Sequence, residues 1–269
     1  MSERVRVTMD GGVADVRLNR PEKINAIDRA MFEALAETGT ALGADRSVRA
    51  VVLSGEGRGF CAGLDFASFM AMAGESSDPG ASLLDRRRGD SPANFAQHAA
   101  WVWTEVPVPV IAAVHGVAFG GGLQIALGAD IRIAAADAQL SVMEIKWGLV
   151  PDMSGTQTLR HLVRLDVAKE LTFTGRIVDG REAAALGLVT RVAEDPRAAA
   201  LAMAREIAAK SPDAIRASKR LLNDAPLLPV RDGLELEARL QRGLIGSANQ
   251  LEAVAANMQK RPPAFSDPA

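Results

Sequence analysis

The sequence predicts an α/β fold: a core in which apolar strands alternate with helices, followed by a helical C-terminal region. Three observations carry this. Apolar runs at 48–55, 110–115 and 130–135 are bounded by turn residues and separated by helical patterns, as expected of buried parallel strands. From residue 154 onward helices dominate, interrupted by one short strand at 188–193. Two glycine-rich loops, RGFCAGLD (58–65) and VAFGGGLQ (117–124), each follow an apolar strand.

The elements follow in order. Residues 4–8 and 13–18 alternate around Asp10-Gly11-Gly12, a hairpin signal. NRPEKINAI (19–27) breaks that pattern, and Asp28 is placed to cap a helix running to about residue 42. The strand at 48–55 leads into the loop EGRGFCAGLD (56–65). Residues 74–92 are polar and weakly patterned, and read as a surface loop. Then come a helix at 93–105, the strand at 110–115, a helix at 121–128, the strand at 130–135, and a stretch of short strands and loop at 138–152. Helices are predicted at 154–163, 166–173, 180–186, 196–209 and 212–223, with a long pair within 229–259. We divide the chain into a core (1–195), a helical oligomerisation region (196–260) and a loose tail (261–269). Helices with spare apolar faces point to subunit contacts.

Composition narrows the function classes. The chain has 269 residues, of which 48% are hydrophobic, enough for a sizeable core. A net charge of −2 and the absence of tyrosine argue against a nucleic-acid partner held by a basic face or a stacking platform. No apolar run reaches the roughly 18 residues of a membrane span, and MSERVRVTMD lacks a signal core. With one cysteine, Cys61, no internal disulfide forms, which suits a reducing, cytoplasmic setting. The three histidines, His98, His115 and His161, lack metal-ligand spacing.

Glycine lets backbone N–H groups approach a ligand closely, and a helix N-terminus adds orphan donors and partial positive charge. Two such loops at one end of a sheet can aim two N–H groups at one oxygen, an oxyanion hole. The plain alternative is close packing of helix on strand. A phosphate cradle is disfavoured, since neither a P-loop lysine-serine pair nor G-x-G-x-x-G is present.

The motifs NRPEKINAI (19–27), GFCAGLD (59–65), PVIAAVHGVAFGGGLQIALGADIRIAAADAQL (109–140), GLVPDMSGTQTLRHLV (148–163) and LTFTGRIVDGREAAALGLVTRV (171–192) occur in this order over nearly the whole chain. In them the chain resembles the crotonase, or enoyl-CoA hydratase/isomerase, superfamily. The resemblance implies the ClpP/crotonase fold, a β-β-α spiral core with a C-terminal helical region, assembled as trimers or pairs of trimers. It also implies an acyl-CoA thioester substrate held as an enolate. Coenzyme A is then part of the substrate, and no separate cofactor or metal is required. Carried over by the resemblance, the enolate-binding N–H groups belong to Leu64 and Gly121. Lys23, Ile24, Ala26 and Ala62 match positions that line the coenzyme A pocket, Lys23 being equally readable as a solvated charge.

Hydratases of that family use two glutamates. Here the first position is Gln124, which cannot take a proton at neutral pH but can orient a neighbour. The second is Glu144, flanked by Met143, Ile145 and Trp147; an acid against such a wall has its pKa raised toward the range useful for proton transfer. Asp152, where the hydratase pattern has glycine, is either a second acid or the cap of the following helix. We take Glu144, Asp152 and Gln124 as the candidate catalytic set.

With one sure carboxylate, the expected reaction is a double-bond shift in an enoyl- or dienoyl-CoA, with 2-enoyl-CoA hydration second. A catalytically weak acyl-CoA-binding scaffold is the third reading, which a solvent-facing Glu144 would favour. Cys61 reads as packing and His115 as local hydrogen bonding; His98 and His161 read as structural or exposed. Ser154, in PDMSG, lies outside any hydrolase motif. Arg86, Arg87 and Arg88 read as a solvated face or as contacts to coenzyme A phosphates, within a loop that shapes the acyl pocket.

Overall fold

A computed structural model describes residues 4–67, 84 and 91–268. The loop expected at 74–92, with its three arginines, lies outside these residues except for Leu84, Ser91 and Pro92. β1 (Val5–Asp10) and β2 (Val13–Leu18) pair antiparallel, with Asp10 opposite Val13. The linking Gly11 and Gly12 have φ of 55° and 82°, the positive values that a two-residue type I′ turn demands. Asp28 caps α1 (Arg29–Ala44) as expected, its side chain accepting from Met31 N at 2.9 Å.

β3 (Ala50–Gly55), α2 (Phe95–Glu105) and β4 (Val110–Val114) follow, then β5 (Val117–Phe119), α3 (Gly121–Leu127), β6 (Ile131–Ala134) and β7 (Gln139–Ser141). Strands β1–β4, β6 and β9 (Arg191–Val192) form one six-stranded sheet in the order β1-β2-β3-β4-β6-β9, parallel beyond the hairpin. A second, three-stranded sheet places β7 between β5 and β8 (Val178–Asp179). This is an α/β layout with a C-terminal helical region, as the resemblance implies. The strand expected at 188–193 is shorter than its sequence pattern. The carbonyl of Leu188 accepts from the buried Arg132 side chain at 2.8 Å instead of joining the ladder.

Alternation along the parallel strands splits the core. Val51 and Leu53 pack in the larger cluster with α1 and α2, while Ala50 and Val52 face α7 (Pro196–Ala208). Three alanines of α7 at i, i+4 and i+8, Ala200, Ala204 and Ala208, form the stripe that seats it on the sheet. The remaining helices are α4 (Gly155–Leu162), α5 (Leu165–Thr174), α6 (Gly180–Leu186), α8 (Pro212–Asp224), α9 (Val230–Leu244) and α10 (Ala248–Met258). None of the described helices is long and apolar enough to cross a membrane.

The helical region docks through a buried cation. Lys219 Nζ on α8 bonds the carbonyls of Trp103 and Val108, both at 3.1 Å, and Asp130 Oδ2 at 2.7 Å. Burial pulls its pKa down, while Asp130 opposes the shift. Residues 262–268, expected to be loose, form no helix or strand but are tied down. Glu252 accepts from Ala264 N, Asn249 exchanges bonds with the Ser266 backbone, and Arg49 bonds Phe265 O and Asp267.

The segment 19–28 is bound to 56–65 by one side chain. Asn25, fully buried with φ 55°, accepts Arg20 N at 2.8 Å; its Nδ2 lies 3.0, 2.9 and 3.1 Å from the carbonyls of Glu56, Gly59 and Phe60. Asn25→Ala leaves these groups unpaired in a dry interior and places alanine in a left-handed conformation. We expect a loss of about 3 kcal/mol, read as a lower urea midpoint at unchanged m-value.

Candidate active site

Three chain segments meet where β5 ends. The loop 59–65 runs beside β5: Phe60 N donates to His115 O, Cys61 N to Val117 O, and Phe119 N to Cys61 O. On its other edge Ala62 N donates to Ile24 O, Ile27 N to Gly63 O, and Asp65 N to Ile27 O. Arg20 closes this corner through a 2.8 Å ion pair with Asp65 and a 3.0 Å bond to Ala26 O. A side chain at Gly63, which has φ 89°, would lie 2.6 Å from Phe119 O. One at Gly122 would lie 2.5 Å from Cys61 O. Glycine is needed at both because the two loops touch through their backbones.

This packing brings together the two N–H groups singled out from sequence. Gly121 is the first residue of α3, so its N–H has no intrahelical acceptor. Leu64 lies in an isolated parallel bridge with Ile27 that uses its neighbours' groups. Among the described residues no acceptor meets either N–H. Their loops abut, since a Cβ built on Gly63 would stand 3.8 Å from Gly121 N.

Leu64 and Gly121 line a cavity of about 240 Å3, together with Gln124, Glu144 and Asp152. Its other walls are mainly apolar, among them Phe32, Phe66, Met143, Trp147 and Met153. Phe66 stacks on Trp147 with ring centroids 4.0 Å apart. Of the coenzyme positions only Ala62 lines this cavity; Lys23, Ile24 and Ala26 sit on the segment stitched to it.

Glu144 sits in a 3-10 turn, Met143–Trp147, and is only 8% exposed. Burial raises its pKa and the charge of Asp152 adds to that, against hydrogen bonds from its own backbone and from Gln124. Oε1 accepts from Gln124 Nε2 at 2.6 Å, whereas Oε2 is buried without a partner. The expected wall needs one correction. In a turn of three residues per repeat, positions 144 and 147 share a face and 145 points elsewhere. Ile145 is accordingly absent from the lining and 45% exposed, packing toward Gly175.

Asp152 lies at the rim, exposed as a residue, with partial burial of its carboxyl raising its pKa. It does not cap α4. The N-cap is Ser154, in a left-handed conformation (φ 69°), and its side chain makes no cap bond. The cap comes from Gln124: Oε1 accepts from Met153 N and Gly155 N, both at 2.8 Å. Ser154 Oγ is buried without a partner, so no base serves it as a nucleophile.

His115 bonds Gly57 O at 2.9 Å, as its local role requires. His98 is buried, 3.2 Å from Glu105, and His161 is exposed beside Arg160. Sequence reasoning missed Asn25, Phe32, Phe66 and Met153; the asparagine within RPEKINAI, before an apolar pair, was the available signal for the first. Cys61 is fully buried, and burial pushes its thiol pKa to about 12. We expect no reaction of the folded protein with a thiol reagent at pH 8, and one equivalent after unfolding, read spectrophotometrically.

Comparison with known proteins gives a consistent answer. The family model described as enoyl-CoA hydratase/isomerase matches residues 8–268. The mitochondrial methylglutaconyl-CoA hydratase of Mus musculus is 33% identical over 261 residues, covering 94% of this chain and 79% of the relative. The mitochondrial enoyl-CoA hydratase domain-containing protein 2 of Bos taurus is 35% identical over 264 residues, covering 94% and 84%. The crystal structure of enoyl-CoA hydratase from Bacillus anthracis superposes with a TM-score of 0.88 at 30% identity, covering 97% of this chain and 98% of that one. With the motifs in family order and the two glycine loops joined around one cavity, the chain belongs to the enoyl-CoA hydratase/isomerase, or crotonase, family.

Proposed function

We propose that this chain adds water reversibly across the 2,3-double bond of an enoyl-CoA thioester. One observation carries the reading: Glu144 Oε2, a buried carboxylate oxygen, shares an apolar cavity with two N–H groups, and among the described residues none of the three has a hydrogen-bond partner. The hydratase names of the relatives favour hydration over the isomerisation that the lone glutamate pattern favoured.

In this reading the thioester carbonyl lies against the Leu64 and Gly121 amides, with the coenzyme running toward Ala62 and the 23–26 segment. Glu144 Oε2 takes a proton from water as the oxygen bonds to Cβ. The π pair moves to form the enolate, whose oxygen gains charge against the two N–H groups. The protonated form of Asp152, which its partial burial favours, gives its proton to Cα, and exchange with solvent resets both acids. Donors of this kind each contribute roughly 10²–10³ in rate, because they are already in place when charge develops. The apolar walls limit competing water. Burial of Glu144 weighs against the scaffold reading, which asks for a solvent-facing acid. Assembly into trimers or pairs of trimers is part of the proposal, supported by the exposed Leu222, Val230, Leu234 and Ile245 on and beside the C-terminal helices.

A second reading, isomerisation of a 3-enoyl-CoA, is favoured by Gln124: an amide holds no titratable proton, so a single shuttling acid suffices. Assays of crotonyl-CoA and a 3-enoyl-CoA separate the two. We expect crotonyl-CoA hydration that falls at least about 10³-fold in Glu144→Gln and about 10–10²-fold in Asp152→Asn. Turnover of the 3-enoyl-CoA alone makes the chain an isomerase. Hydration that survives Glu144→Gln removes the proposal.

A further inference from the structure

We propose that Gln124 is a positioning residue: its carboxamide holds Glu144 in one orientation and ties it to the turn that carries Asp152. The inference rests on Glu144 being the group that moves the proton. The carbonyl end of the amide is fixed first. Oε1 meets the N–H groups of Met153 and Gly155, both at 2.8 Å, and these two donors leave no freedom to exchange oxygen and nitrogen. The amino end must therefore point the other way, and it meets Glu144 Oε1 at 2.6 Å. That occupies one carboxylate oxygen and leaves Oε2 to exchange the proton.

The same side chain starts α4, because Ser154 makes no cap bond of its own. Two donors on its carbonyl also polarise the amide and strengthen its remaining N–H. A glutamate at 124 accepts the same two backbone bonds, but its second oxygen then faces Glu144 at hydrogen-bond distance. Two carboxyls so close share one proton. The amide keeps the geometry and leaves Glu144 to ionise alone. Asp152 is the titratable group acting on Glu144 from the next turn, and Lys146 of its own turn lies over the Trp147 ring, 5.6 Å from its centroid.

The test is the pH profile of kcat/KM for crotonyl-CoA in folded variants, with folding checked by circular dichroism and Tm. Turnover falls on the acid side as Glu144 takes a proton. Gln124→Met removes the donor to the ionised form, so that limb moves to higher pH, by roughly one unit. Gln124→Glu moves it further in the same direction. Gly155→Ala, whose Cβ would stand 2.7 Å from Gln124 Oε1, displaces the amide without deleting it and moves the limb the same way. If Gln124→Met does not fold, the other two variants carry the test. A limb that stays in place while kcat falls uniformly overturns the role of Gln124 and leaves that of Glu144 intact. Turnover that persists in Glu144→Gln overturns the reading of Glu144 itself, whatever the Gln124 variants do.

Discussion

The site depends on one loop being hydrogen-bonded along both edges. Residues 59–65 pair with β5 on one side and with the 24–27 segment on the other. A loop held on one edge can pivot; a loop held on two behaves as an inserted strand. This is why the Leu64 amide has a fixed direction although no regular element contains it. The Asn25 carboxamide and the Arg20–Asp65 pair reinforce the same corner with buried polar groups that find partners inside the protein. Ile24 and Asn25 both hold positive φ, of 50° and 55°, so the arrangement keeps a β-branched residue in a strained conformation.

The electrostatics follow from that rigidity. Among the described residues nothing satisfies two amides at the cavity wall or Glu144 Oε2 within it, although dry interiors penalise both. Such groups persist where surrounding contacts over-determine the backbone, and a polar ligand that satisfies them then gains more than it would in water. The acids differ in kind. Glu144 is buried and receives a donor, while Asp152 sits at the rim, its pKa raised by partial burial.

Much of this was legible in the sequence, for definable reasons. The parallel strands, the hairpin glycines, the Asp28 cap and the two loops are local patterns, and local patterns write themselves into short stretches. The resemblance assigned Leu64, Gly121 and Glu144 to one site, and the structure places all three on one cavity. What sequence did not reveal is long-range or directional. Gln124 reaches backbone groups 29 and 31 residues away, so its capping role has no local signature, and Asp152 was read as a possible cap in its stead. Ile145 was placed in the pocket because neighbours in sequence were treated as neighbours in space, which a 3-10 turn does not respect. The tail looked loose because its composition lacks apolar periodicity, yet side-chain bonds from Arg49, Asn249 and Glu252 hold it.

Those tail contacts bear on how the chain is born. Arg49, just before β3, bonds the carbonyl of a residue 216 positions later, and Lys219 on α8 closes on backbone laid down more than a hundred residues earlier. A ribosome releases the chain from its N-terminus, so one face of the central sheet waits, uncovered, until α7 emerges, and the corner at Asp130 waits for Lys219. Completion of the fold therefore trails the making of the sheet by many residues, and that interval is when a nascent copy most needs protection from its neighbours.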